Sequence, residues 1–404
     1  MPSRNATGRA RPADRKRQLS DLAATLFLER GYSHVSVADI ARAAGVTAPS
    51  VYRHFTDKQS LLAAAVLAGV DDLEAFTDEV VGPATADGAA EPGAEDTGPS
   101  TAHLVDAICD IGVTRPVTAS LWRWSSTHLT EEQNKEVALR TRTVLHRWAA
   151  ALFADDPDVS HRESVQITWA ILSVIGSLSV HKTRIAPARA HEELRRLVGR
   201  LMTLRPDEAP PLPDFPSLSP VSTNRRDQIL DAASALFSER GYADVGVDEI
   251  GAAVGITGPS VYKHFPSKMA ILVSIGQRSG TRLEAGVMAA YASTADQSKL
   301  LALLVDSYVS VITSTADLSV SFNSSGVLHG ELAGTELLDV QRRYVGRWID
   351  LLCEIDPELR RPQAAVAVHA ALSIVNDAVR MRRGRTRARF PDQMAYLMQG
   401  VLDL

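Results

Sequence analysis

The chain has 404 residues, with 43 Lys and Arg against 48 Asp and Glu, 45% hydrophobic residues and two cysteines. That length exceeds one core, and two cysteines, Cys109 and Cys353, leave no disulfide framework or cysteine zinc site. No apolar run reaches the length of a membrane span and no signal-peptide core opens the chain, so a cytoplasmic, all-α protein is expected from its Ala- and Leu-rich helical periodicity.

Residues 1–13 carry Arg4, Arg9 and Arg11 among Gly, Pro, Ala and Ser, a composition that buries no core and reads as a disordered basic tail. A first helix follows over 14–30, with Leu19, Leu22, Ala23, Leu26 and Phe27 on one stripe and Gly31 as its terminator. Ser36 with Asp39 opens a second helix whose inner face is read as Ile40, Ala43 and Ala44. Next comes Thr47-Ala-Pro-Ser-Val-Tyr-Arg-His-Phe55. At about 100° per residue it puts Val51 and Phe55 on one side, with Thr47, Ser50, Arg53 and His54 on the other. A helix, a Gly-containing turn and a second short helix with a polar face form the helix-turn-helix pattern, whose second helix enters the DNA major groove. Lys58 then starts a long helix through Leu61 and Leu62.

The whole block returns 210 residues later, with Thr257-Gly-Pro-Ser-Val-Tyr-Lys-His-Phe265 and Lys268 repeating the first copy. These residues, from Phe27 to Leu62 and from Phe237 to Leu272, resemble the DNA-binding domain of the tetracycline-repressor family. The resemblance covers about fifty residues in each half and implies two family units fused in tandem. It implies DNA contacts from Arg17, Ser36, Thr47, Ser50, Tyr52, Arg53, His54 and Lys58 in the first copy. In the second it implies Thr257, Ser260, Tyr262, Lys263, His264 and Lys268, with Tyr52, Tyr262 and the two lysines on phosphates. Gly246 stands where the first copy has Ser36, so that contact is in doubt in copy two.

Domains are therefore placed at 14–62 and 223–272 for the heads, and 63–204 and 273–404 for the helical ligand-binding and interface domains. Residues 82–100 form a Pro-, Gly- and acid-rich loop, after which the halves align with a shift of 200. Helices are expected near 101–114, 117–128, 131–153, 161–182 and 188–204, with capping boxes at Thr130/Gln133 and Ser160/Glu163. Val165–Val180 and its counterpart Ala364–Val379 are apolar nearly all round, and both resemble the family's dimer-interface helix. Cys109, Trp122, Trp124, His128, Trp148 and Trp169 are candidates for lining an apolar effector pocket, with a plain core role as the alternative.

Six prolines between Arg205 and Ser222 mark a linker over 205–222, with a reach of about 55 Å if extended. The basic run Arg380, Arg382, Arg383, Arg385, Arg387 and Arg389 reads either as a solvated loop or as an anion site. No catalytic grouping, metal-ligand cluster or cofactor motif appears. The expected function is a transcriptional repressor released by a small apolar or acyl-type ligand, one chain reading an imperfectly palindromic double-stranded DNA operator as a pseudo-dimer. A homodimer of tandem chains and a sensor with weak heads are the alternatives.

Overall fold

The computed structural model describes residues 12–30, 32, 35–83, 99–116, 118–119, 129–181, 183–213, 224–324, 328, 332–381 and 388–404. Among these every regular element is helical. The described residues within Met1–Ala84 and Val117–Val144 form one compact unit, and those within Thr85–Pro116 and Leu145–Leu404 form another.

In the first unit, α1 (Pro12–Arg30) begins two residues before the position expected from sequence, because proline is tolerated where the helical N–H has no partner anyway. Leu19, Ala23, Leu26 and Phe27 are buried as the stripe required, while Leu22 is half-buried. Helix α2 (Val37–Ala43) is held by the reciprocal cap, the Asp39 amide donating to Ser36 Oγ at 3.1 Å and the Ser36 amide to Asp39 Oδ2 at 3.0 Å. Its buried side is Val37, Ile40 and Ala41 rather than Ile40, Ala43 and Ala44. The stripe starts at the first helical residue, and the 3.6-residue period then turns Ala43 outward. Helices α3 (Ala48–Tyr52) and α4 (Lys58–Val80) complete the head. Gly45 makes the turn between α2 and α3 at φ 66°, a conformation costly for a residue with a Cβ. Helix α6 (Glu131–Leu152), opened by the Thr130/Gln133 pair, adds Leu129 and Val137 to the same core. Arg140 fixes it to α4, donating to Glu74 at 2.9 and 2.5 Å and to Asp71 at 2.5 Å.

The second unit contains α5 (Thr101–Thr114), the end of α6, α7 (His161–Gly176) and α8 (Pro187–Met202). It continues with the second head, α9 (Arg225–Arg240), α10 (Val247–Ala253), α11 (Gly258–Val261) and α12 (Lys268–Ser293). After these come α13 (Gln297–Ser314), α14 (Asp317–Asn323), α15 (Leu332–Ile355), α16 (Arg361–Arg380) and α17 (Phe390–Leu402). The head repeats the first one's core: Ile229, Ala233, Phe237, Ile250, Val261, Phe265 and Leu272 stand where Leu19, Ala23, Phe27, Ile40, Val51, Phe55 and Leu62 do. Gly31 lies outside the described residues, and its counterpart Gly241 ends α9 at φ 86°.

Helices α7 and α8 from the first half of the sequence pack on α16 and α17 from the second. Helices α7 and α16 are buried on nearly every side, because apolar residues run all the way round each. Polar bridges close the rim: Gln166 Nε2 donates to Gln393 Oε1 at 3.1 Å, and Arg200 donates to Asp403 at 2.5 Å and to the Val401 carbonyl at 3.2 Å. The rings of His181 and His369 stack with centroids 4.4 Å apart.

The first part of the proline-rich segment is docked rather than extended. Residues 206–208 form a 3₁₀ turn, the Arg205 amide donates to Tyr396 Oη at 3.3 Å, and the Leu212 amide to Asp392 at 2.9 Å. Residues 214–223 lie outside the described residues. The ends of the basic run are likewise employed: Arg380 donates to Asn323 at 3.2 Å and Arg389 to the Asp207 carbonyl at 2.7 Å. Arg382, Arg383, Arg385 and Arg387 are outside the described residues.

Candidate nucleic-acid interface

In each head the helix that follows the glycine turn presents a polar surface built by the same local rules. Pro49 and Pro259 occupy the first turn, Thr47 and Thr257 flank it, and each threonine hydroxyl lies within hydrogen-bond distance of a serine, Thr47–Ser50 at 3.1 Å and Thr257–Ser260 at 2.9 Å. Val51 and Phe55, like Val261 and Phe265, point into the core. That leaves Tyr52 and Tyr262 each 53% exposed, beside the exposed Arg53 and Lys263 and the half-buried His54 and His264. An exposed aromatic hydroxyl next to a cation and a hydroxyl pair is a donor set suited to phosphate oxygens and base edges.

Ser36 is committed to its helix, since its hydroxyl accepts from the Asp39 amide and lies 2.6 Å from Asp39 Oδ2. Donation from the Ser36 hydroxyl and the Ser36 amide, and from Arg42, holds the Asp39 carboxyl down at about 2. In the second head Glu249 accepts from the Gly246 amide at 2.7 Å and from Arg240 at 2.6 Å.

Three residues expected on DNA also have internal partners. Lys58 Nζ donates to the Tyr32 carbonyl at 2.8 Å and lies 4.1 Å from the centre of that ring. Lys268 Nζ donates to the carbonyls of Tyr242 at 2.8 Å and Val245 at 2.9 Å. Burial lowers the pKa of both ammonium groups. Each ammonium thus sits behind its turn, where backbone carbonyls accept from it. Arg17 bridges Asp21 at 3.2 Å and Asp72 at 2.5 Å, tying α1 to α4.

The structure also shows cations that sequence inspection passed over. Lys16 stands 5.7 Å from the Phe55 ring centre, and its counterpart Arg226 stands 4.1 Å from that of Phe265 while donating to the His264 carbonyl at 2.7 Å. Both brace the end of the reading helix. Their shared position 210 residues apart was the available signal.

The model of the family described as bacterial regulatory proteins, tetR family, matches residues 19–65 and again residues 229–275. Both heads match the DNA-binding domain of that family. Over 88 residues it is 38% identical to the HTH-type transcriptional activator FasR of Mycolicibacterium smegmatis, a stretch covering 22% of this chain and 40% of that protein. Over 67 residues it is 43% identical to the HTH-type transcriptional repressor KstR2 of Rhodococcus jostii, covering 17% and 33%. The matched stretches thus span less than half the length of either relative. A TetR-family transcriptional regulator from Bordetella parapertussis 12822 aligns at 20% identity over 45% of this chain and 94% of that one, with a TM-score of 0.41.

Of the candidate effector-pocket residues, Cys109, Trp148 and Trp169 are buried core side chains. Burial pushes the Cys109 thiol up to about 12, which makes it inert. Trp122, Trp124 and His128 lie outside the described residues. A groove of about 690 Å³ lies in the second half, lined by Tyr291, Leu300, Arg347, Asp350 and Leu351 among others. Among the described residues no group of His, Cys, Asp and Glu could hold a metal ion, and no single helix is long and apolar enough to cross a membrane.

Proposed function

We propose that the chain is a DNA-binding transcription regulator that reads both half-sites of one operator with its two heads. The observation that carries this is the pair of helix-turn-helix faces, each with an exposed tyrosine beside an arginine or lysine. Helices α7, α8, α16 and α17 supply within one chain the four-helix packing that would otherwise need two copies. Tyr52, Arg53, Thr47 and Ser50 are assigned to the first half-site, and Tyr262, Lys263, Thr257 and Ser260 to the second, with His54 and His264 at the edge of each face. Because Arg53 forks where Lys263 is a point charge, the half-sites should be related but unequal.

Release of a repressor by a small apolar or acyl-type ligand is the regulation proposed, with the helical domains as its receptor. An electrophoretic shift on duplexes selected from a random pool, run over a salt series, tests the reading. A regulator of this kind gives a steep salt slope and a complex of one chain per duplex by light scattering. Salt-independent or absent binding would refute DNA reading, and two chains per duplex would refute the single-chain pseudo-dimer.

A further inference from the structure

The two heads differ at the start of the reading helix in a way their shared motif hides. The first head has Ala38 and Ala48, and 210 residues later the second has Asp248 and Gly258. These two changes are coupled in space. A Cβ built on Gly258 would stand 1.7 Å from Asp248 Oδ1 and 2.8 Å from its Cγ. The carboxylate therefore occupies the volume that the Ala48 methyl fills in the first head. Asp248 is exposed, and among the described residues no ion pair neutralises it, the nearby Arg240 being engaged with Glu249.

In a helix-turn-helix the first helix of the pair crosses the DNA backbone and the second enters the groove from its N-terminal end. Asp248 is the second residue of α10 and sits against the first residue of α11, at the junction of those two surfaces. A carboxylate there meets phosphate oxygens and repels them, where the first head offers a methyl group. The remaining charges do not offset it. Residues 225–272 hold five Lys and Arg against six Asp and Glu, whereas residues 15–62 hold seven against four. Both arginines that open α9 are also partly spent, Arg225 on the Val254 carbonyl at 2.8 Å and Arg226 on that of His264.

We infer that Asp248, seated on Gly258, is the residue that sets the second head's DNA affinity below the first's, so that the chain grips one half-site and only rests on the other. This depends on the DNA-reading function proposed above. The test uses the full chain with Tyr52→Ala and Arg53→Ala, so that binding to a selected duplex of about 30 base pairs reports the second head. In that background Asp248→Asn, which keeps the shape and removes the charge, is expected to bind about fivefold tighter at low salt. Its salt slope should be steeper by about 0.9. Gly258→Ala, which evicts the carboxylate, should move affinity the same way. The reciprocal pair Ala38→Asp with Ala48→Gly should weaken the first head in the otherwise unaltered chain.

Unchanged affinity and slope in Asp248→Asn, while the unaltered chain binds DNA with its usual salt dependence, would overturn the inference alone. If the unaltered chain shows no salt-dependent DNA binding, the DNA-reading function falls and this inference with it.

Discussion

Asp317, in α14 beyond the second head, is a buried charge shared by two arginines, and replacing it with Asn separates a structural ion network from ordinary packing. Its carboxylate is 1% exposed and accepts from Arg278 Nε at 2.7 Å, from a second Arg278 nitrogen at 2.8 Å and from Arg282 at 2.9 Å. Arg278 reaches on to Asp231 of α9 at 2.7 Å, so one guanidinium joins α9, α12 and the start of α14. Asn keeps the volume but removes the charge and turns an NH₂ toward a guanidinium. Breaking a buried pair by removing one partner costs about 3–5 kcal/mol. Arg278 retains Asp231 and Arg282 retains Thr315 at 3.1 Å, which places the loss near about 3 kcal/mol, a rise of about a hundredfold in local opening. The first copy lacks this network, since Ala68 and Asp72 of α4 stand where Arg278 and Arg282 of α12 do. Amide hydrogen exchange on the full-length protein should therefore speed up in α9, α12 and α14 of Asp317→Asn and stay unchanged in α1 to α4. Unchanged exchange in α9 and α14, or an equal rise in both heads, would refute the assignment.

Three further outcomes follow from particular side chains. Lys58→Met should loosen the Gly-Tyr turn by about 1.5–3 kcal/mol through its lost charge-assisted bond to the Tyr32 carbonyl; the salt slope of DNA binding should not change, and a slope shallower by about 0.9 would return the ammonium to a phosphate. Burial raises the Asp306 carboxyl to about 6, so the folded state holds its proton more tightly than the unfolded chain and stability declines as pH rises from about 4 to about 6. Asp306→Asn should then be more stable by about 2–3 kcal/mol at neutral pH and little changed near pH 4, as read from denaturant midpoints. Burial pushes His369 down to about 4, so the stability it contributes is present above about 6.5 and lost as pH falls toward 4. His369→Phe should remove about 2 kcal/mol of that acid loss at pH 5, and an unchanged pH profile would show that His369 does not resist protonation.

The sequence by itself determined what depends on near neighbours. The helix starts at Ser36/Asp39, Thr130/Gln133 and Ser160/Glu163 are written within three residues of each other, and each cap formed. The division of the reading helix into buried Val51 and Phe55 and exposed Tyr52 and Arg53 follows from the helical period alone. The 210-residue repeat made the second head legible with no further information. Tertiary structure decided what those cations and carboxylates touch. Lys58 finds its carbonyl 26 residues away, Arg17 its carboxylate 55 away and Gln166 its partner 227 away. Periodicity assigns a side chain to a face of its own helix but not to a partner across the fold, so the internal partners of Lys58, Lys268 and Arg17 are visible only with the turn and α4 behind them. Asp248 and Gly258 show the same limit most sharply, as two unremarkable substitutions ten residues apart become one feature only when α10 and α11 are folded together.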